Sequence, residues 1–369
     1  MDVAIFGAGI AGLMTAITLR AQGHNCSVYE RSRRAHDAGM GFILLPEAIA
    51  GLNQLGVPLT GECSGIHLER YLCRIAHGDI LYQQAMPPGS RSFRRYDLIA
   101  ALGKAFGTMQ SVQFDASLKH LEFGAGGRIK AARLSSGEVV TADLFIAADG
   151  THSRARRELF PDWPTRPARV TEIVGIVRSR DIIRWAGHDL NKFHAAEGGL
   201  AFGVLPVDQE HIVWFLQFDS TSFPLACGAE GNNEAWRTHA QKLTNDWANP
   251  IRHLPAMTDP RDVHLWRPVD ADLVPTFYQQ NLVLIGDAAH PLSPFTSQGV
   301  SSAIADAMVL ASALESCTKK ENGHLALALA SYSNERYRQC VPYLSKGREL
   351  TQKFLAPLSA NSCWLPLAI

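Results

Sequence analysis

Gly7, Gly9 and Gly12 stand in the order G-x-G-x-x-G, and Glu30 follows 23 residues after the first of them. Glycines so spaced can hold a diphosphate. The first makes a tight turn, the second lets the backbone approach the phosphates, and the third lets a helix pack on its strand. The helix opening at Ile10 and Ala11 then turns its positive end toward the anion. A carboxylate at Glu30 accepts hydrogen bonds from a ribose diol and disfavours a 2′-phosphate. The ligand these residues specify is an adenine dinucleotide.

Two further groups sit beyond the C-terminal ends of predicted strands, where open α/β sheets bind their ligands. One is Asp149-Gly150-Thr151-His152-Ser153-Arg154. The other is Gly286-Asp287-Ala288-Ala289-His290-Pro291, with Gln298-Gly299-Val300 shortly after. Alone, Gly286-Asp287 is an ordinary strand-to-loop turn, and the glycine fingerprint at the N-terminus reverses that balance. His290 reads as a histidine fixing its loop rather than as a base. Arg31, Arg33 and Arg34 form a basic loop behind Glu30, of which Arg31 alone is placed for a ligand.

A strand–helix–strand unit must position the glycines. Val3 to Phe6 is apolar, Ile10 to Leu19 is apolar with helical period, and Ser27 to Tyr29 leads into Glu30. The uncharged run from Val3 to Leu19 is 17 residues long, near the short limit for a membrane span. Asp2 precedes it and three glycines interrupt it, so neither a signal peptide nor an anchor is expected. Helices are expected at about 47–55, after Arg95, at 234–247, 299–314 and 326–356. Buried strands are expected at 144–148 and 281–285. From 166 to 265 the chain turns β-rich, and Ile212, Trp214, Leu216 and Phe218 form one wholly apolar strand face, read as core. The expected fold is α/β: a Rossmann-like dinucleotide domain with an inserted, mostly antiparallel substrate sheet and C-terminal helices. Its bounds are 1–70, 95–165 and 266–345 for the first domain, 71–94 and 166–265 for the second, and 346–369 for a helical tail.

With 369 residues the chain is long enough for two such units. Thirty-five basic side chains balance thirty-five acidic ones, which gives no reason to expect nucleic acid or an anionic membrane as partner. The seven cysteines are odd in number and scattered without a C-x-x-C, against a disulfide framework or structural zinc. No metal site is expected, and a reducing cytoplasm fits best.

The glycine fingerprint, Arg95-Tyr96-Asp97-Leu98, Asp149-Gly150 and Gly286-Asp287 through Gly299 together resemble the class A flavoprotein monooxygenases, whose prototype is para-hydroxybenzoate hydroxylase. The resemblance spans nearly the whole chain. It implies a GR2-type FAD domain, with Gly7, Gly9, Gly12, Glu30 and Arg31 at the ADP half. Gly41 would pass the flavin and Arg95 would reach the ribityl-diphosphate. Asp149 would serve FAD and the nicotinamide cofactor, and Asp287 the ribityl chain. Pro291 would lie near the ring, while Gly299 and Val300 open a helix facing its pyrimidine end. Thr296-Ser297-Gln298-Gly299 departs from the family's usual Leu-Gly-Gln-Gly, which puts the loop's contacts with the ring edge in doubt.

The implied function is hydroxylation or epoxidation of an apolar, aromatic small molecule with NADH or NADPH and dioxygen, through a flavin C(4a)-hydroperoxide. The nicotinamide visits transiently, since a second glycine fingerprint is missing. No protein nucleophile is required. His194 and His211 are the candidates for a base that ionises the substrate. A monomer or homodimer is expected. Rival readings are a flavin-dependent halogenase, whose Trp-x-Trp-x-Ile-Pro element is missing, a reductase of unsaturated prenyl chains, and a non-catalytic flavin redox sensor.

Overall fold

A computed structural model describes residues 1–33, 41–107, 112–226, 228, 231–315 and 322–359. Arg34, Cys227, Cys317, Cys363 and the end of the expected tail lie outside the described residues. The fold is α/β, built on two large sheets. The first has six strands in the order Tyr278–Gln279, Leu282–Leu284, Leu144–Ala147, Asp2–Phe6, Asn25–Tyr29, Val112–Gln113. Its strands are parallel apart from the hairpin at Tyr278–Gln279. All four residues of Leu144–Ala147 are buried, as are Val3 to Phe6. Such runs, apolar on both faces, are what a parallel sheet covered by helices requires. The helix Ile10–Ala21 covers it and packs against the helix Gly299–Leu314.

The second sheet has seven strands: Val263–Trp266, Val170–Arg178, His211–Asp219, Leu200–Pro206, Asp189–His194, Arg70–Ile75, Ile80–Ala85. All neighbours are antiparallel except Asp189–His194 with Arg70–Ile75. Alternation along His211–Asp219 gives the sheet two unlike faces. Ile212, Trp214, Leu216 and Phe218 pack into one core cluster with Trp236 and Ala240 of the helix Asn233–Thr244. The opposite face, with Val213, Phe215 and Gln217, turns toward the first sheet and lines a cavity. Two glycines make this strand possible. Gly175 lies directly across from Trp214 and Gly203 directly across from Phe215. A Cβ on Gly175 would fall 2.3 Å from the indole, and one on Gly203 would fall 2.0 Å from the phenyl ring.

The C-terminal helix Asn322–Leu355 is one 34-residue element and runs unbroken through 346, where the sequence places a boundary. Its end is tied to the second sheet: Gly199 N donates to Phe354 O at 2.7 Å and Leu358 N to Ala196 O at 2.8 Å. Among the described residues, no helix is long and apolar enough to cross a membrane. Cys26, Cys63, Cys73 and Cys340 are buried free thiols, and burial pushes Cys26 and Cys63 up to about 11.

Candidate active site

The strand Asp2–Phe6 ends in Gly7, whose φ of +111° is open to glycine and strained for other residues. Gly12 lies on the first turn of the following helix, so close that a Cβ there would sit 1.9 Å from Gly7 O. Gly9 is different in kind: a Cβ there meets no protein atom within 4 Å. The helix it opens has no side-chain cap, so its first N–H groups face the same open space. Glu30 flanks that space, with one carboxylate oxygen accepting from Ala8 N at 2.8 Å and the other from Ser32 N at 2.9 Å. These bonds fix the carboxylate and leave each oxygen a further lone pair.

Around these residues runs a hollow of about 670 Å³, lined by Gly7, Gly9, Glu30, Arg31, Arg95 and Asp149. A second hollow of about 310 Å³ adjoins it and shares Gly9, Arg95, Ala148 and Gly150 on its walls. Ile10, Ala11, Gly41, Asp287 and Pro291 line the second, as do Gly299 and Val300. The two form one continuous cleft from Glu30 to the helix at Gly299. Thirteen of the fourteen residues proposed for the cofactor border it, and Gly12 sits just behind, in the helix–strand contact.

Beneath Asp287 lies a buried ionic cluster that the sequence reading missed. Asp306, 0 % exposed, accepts from Gly286 N at 2.6 Å, His290 Nε2 at 2.8 Å and Arg336 Nε at 2.6 Å. Burial opposes charge on all three. Mutual attraction outweighs it, holding the Asp306 carboxyl down at about 2 and the His290 imidazole up at about 10. His290 is thus a charged structural residue. The cluster hangs the Gly286 turn, φ +57°, from the middle of the helix Gly299–Leu314. Asp287 projects from this turn into the cleft and accepts no hydrogen bond from any described residue. Its carboxyl is raised by burial among protein atoms, partly offset by His290, Arg95 and Arg156.

The far wall of the cleft is the cavity face of the second sheet. Val174, Leu190, Leu205, Val213 and Phe215 make it apolar, and Glu172, Lys192 and Gln217 interrupt it. All three are buried. Sequence reasoning missed them, although Glu172 and Gln217 interrupt the apolar runs of their strands. Neither histidine proposed as a base reaches this cavity. His194 lies behind it, in a small hollow walled by Phe295 and Phe354, where burial lowers it to about 3. His211 sits at a strand end with Nδ1 at 2.9 Å from Asp208. Residue type alone suggested both; each shares the cavity-facing alternation of its strand but stands at the strand end, beyond the cavity.

FAD fits these residues on two observations. Gly9 leaves a cradle that a Cβ would fill, and Asp149 Oδ1 and Ser301 Oγ are buried without partners. Asp149 Oδ2 is held by Arg154 N at 2.7 Å, so its orphaned oxygen is fixed in place.

Comparison with known proteins agrees with this geometry. Residues 1–341 match the family described as FAD binding domain. The FAD-dependent urate hydroxylase of Klebsiella pneumoniae is 26% identical over 358 residues, covering 95% of this chain and 89% of that relative. The 3-amino-4-hydroxybenzoate 2-monooxygenase of Streptomyces cremeus is 26% identical over 382 residues, covering 96% and 88%. Among solved structures, Klebsiella pneumoniae HpxO complexed with FAD and uric acid superposes with a TM-score of 0.77 at 23% identity, covering 96% of this chain and 87% of that one.

Proposed function

Since the chain belongs to the FAD-binding-domain family of class A flavoprotein monooxygenases, we propose that it hydroxylates a small, electron-rich aromatic molecule with dioxygen. It is an FAD-dependent oxidoreductase, and NADH or NADPH is the co-substrate typical of its family. The observation that carries the proposal is the single cleft in which a dinucleotide cradle meets an apolar sheet face. Bound FAD supplies hydride acceptance and the activation of dioxygen.

The chain does the rest. Gly7, Gly9, Ile10, Ala11, Glu30 and Arg31 would hold the ADP half, with Gly12 packing the helix behind them; Arg95 and Asp149 would serve the diphosphate and ribityl region. Asp287 would accept from ribityl hydroxyls. Gly41, Pro291, Gly299 and Val300 would border the ring. The uncapped N-terminus of the helix at Gly299 would offer free N–H groups to a negatively charged ring edge. Val174, Leu205, Val213 and Phe215 exclude water from the reacting face. We assign residues 71–94 and 166–265 to the substrate half, and infer a cytoplasmic protein from its balanced charge and scattered cysteines.

With labelled dioxygen, one labelled atom is expected in the product and the other in water, read by mass spectrometry. Solvent-derived oxygen in the product, or full turnover without oxygen, points instead to the reductase reading. Asp287→Ala should keep the fold and weaken FAD binding by about 1–3 kcal/mol, roughly five- to 150-fold in Kd. Flavin fluorescence titration of the apoprotein measures it. An unchanged Kd would reduce Gly286-Asp287 to a plain turn.

A further inference from the structure

Resting on the monooxygenase reading, we propose that Glu172 takes the proton of an acidic ring O–H or N–H. The enzyme then selects aromatics that carry such a group, phenols and hydroxylated or lactam heteroaromatics. Glu172 lies on the strand Val170–Arg178 in the apolar cavity wall, with Gln217 directly across on the neighbouring strand and Trp266 directly across on the other side. Gln217 Nε2 donates to Glu172 Oε1 at 2.5 Å, which fixes the carboxylate. The same bond leaves Gln217 Oε1 buried with no donor. The Glu172 carboxylate itself lines the cavity. Two acceptors therefore stand side by side in a wall that is otherwise hydrocarbon. A ligand without a donor leaves the Glu172 carboxylate unsatisfied, whereas an O–H or N–H satisfies it.

The charges around the cavity favour the transfer. Lys192 stands two strands beyond Gln217 on the same wall, and Arg95 and Asp287 face the wall from the cofactor side. Burial raises the Glu172 carboxyl to about 7, with Gln217 and Lys192 pulling it back. A base so poised is half ionised near neutral pH and strong enough to accept a phenolic proton. In the step, the ring O–H or N–H bond breaks, the proton joins a Glu172 oxygen, and the electron pair stays on the ring heteroatom. Nothing is oxidised or reduced. The anionic ring is richer in electrons at its ortho and para carbons, where an electrophilic oxygen attaches.

The test uses FAD-loaded protein with 4-nitrophenol, whose phenolate absorbs in the visible, and with 4-nitroanisole, which has no proton to give. In the wild type, where phenol and Glu172 share one proton, bound 4-nitrophenol should already be partly phenolate on the order of one pH unit below its ionisation in water. Glu172→Gln should abolish that shift and weaken phenol binding roughly tenfold. It should leave the weaker binding of 4-nitroanisole unchanged, and Glu172→Asp should restore part of the shift. Equal binding of the two probes to the wild type, or an unaltered shift in Glu172→Gln, overturns the proposal. Flavin absorbance is read on the same samples. A wild-type protein that takes up no FAD overturns the monooxygenase premise instead, so the two failures are distinguishable.

Discussion

Asp306→Ala is expected to destabilise the protein by about 3–5 kcal/mol, the cost of removing one partner from a buried ion pair. Urea unfolding of the wild-type and variant apoproteins, side by side at pH 6, measures it without the stability that bound FAD adds. The variant leaves Arg336 charged and unpaired at 1% exposure and strips His290 of the carboxylate that keeps it ionised. The signs fix the choice of pH. His290 is raised from 6.5, so its share of the stability is full below that pH and is lost as pH climbs through about 10. Asp306 is lowered from 3.8, so its share is full above that pH and is lost as pH falls through about 2. Both shares are therefore complete between 3.8 and 6.5. Because Asp306 also holds Gly286 N, the variant should release FAD as well. A loss under about 1 kcal/mol would mean that the cluster contributes little beyond what a neutral core would give.

Gly12→Ala and Gly9→Ala should fail in opposite ways. At Gly12 the new methyl group meets backbone, 1.9 Å from Gly7 O and 3.0 Å from Gly7 C, and backbone at a tight turn cannot step aside. The helix must move off its strand, at a cost of about 1–3 kcal/mol or more, and FAD should be lost with the turn. At Gly9 the methyl group meets no protein atom and φ is an ordinary −75°. That variant should melt like the wild-type apoprotein and yet fail to retain FAD, because the methyl group occupies the ligand's space. Thermal melts followed by circular dichroism, together with flavin content after gel filtration, separate the two. A yellow Gly9→Ala protein would place the diphosphate elsewhere.

The contrast between these glycines shows what the sequence could disclose. Gly7, Gly9 and Gly12 act through backbone geometry within a few residues of one another, so their spacing alone carries the message. Asp287 was readable only in company: alone, Gly286-Asp287 is an ordinary turn, and the N-terminal fingerprint with the family resemblance singled it out. The Asp306–His290–Arg336 cluster was not readable. Its members sit 16 and 30 residues apart on different elements, and only the packing of two helices brings them together. Glu172, Lys192 and Gln217 escaped for another reason. A polar residue in an alternating strand ordinarily faces water, and here that face is roofed by the other sheet. The two-sheet architecture and the apolar stripe at Trp214 were readable from periodicity. Which strand neighbours which was not, since that depends on register across more than a hundred residues, as between Asn191 and Leu72.

Trp214 and Phe215 are adjacent, point to opposite faces of one sheet, and each lies over a glycine on a different neighbouring strand. On the helix side, Gly175 lets the indole lie low enough for its Nε1 to donate to Thr258 at 2.8 Å. On the cleft side, Gly203 keeps the phenyl ring low against the wall. The room left for a substrate is thus governed from beneath, by a residue that touches neither substrate nor flavin. Any side chain at 203 would lift Phe215 toward the ring space and narrow it, leaving every oxygen-handling group where it stands. Within this architecture, substrate size and redox chemistry can diverge independently over generations.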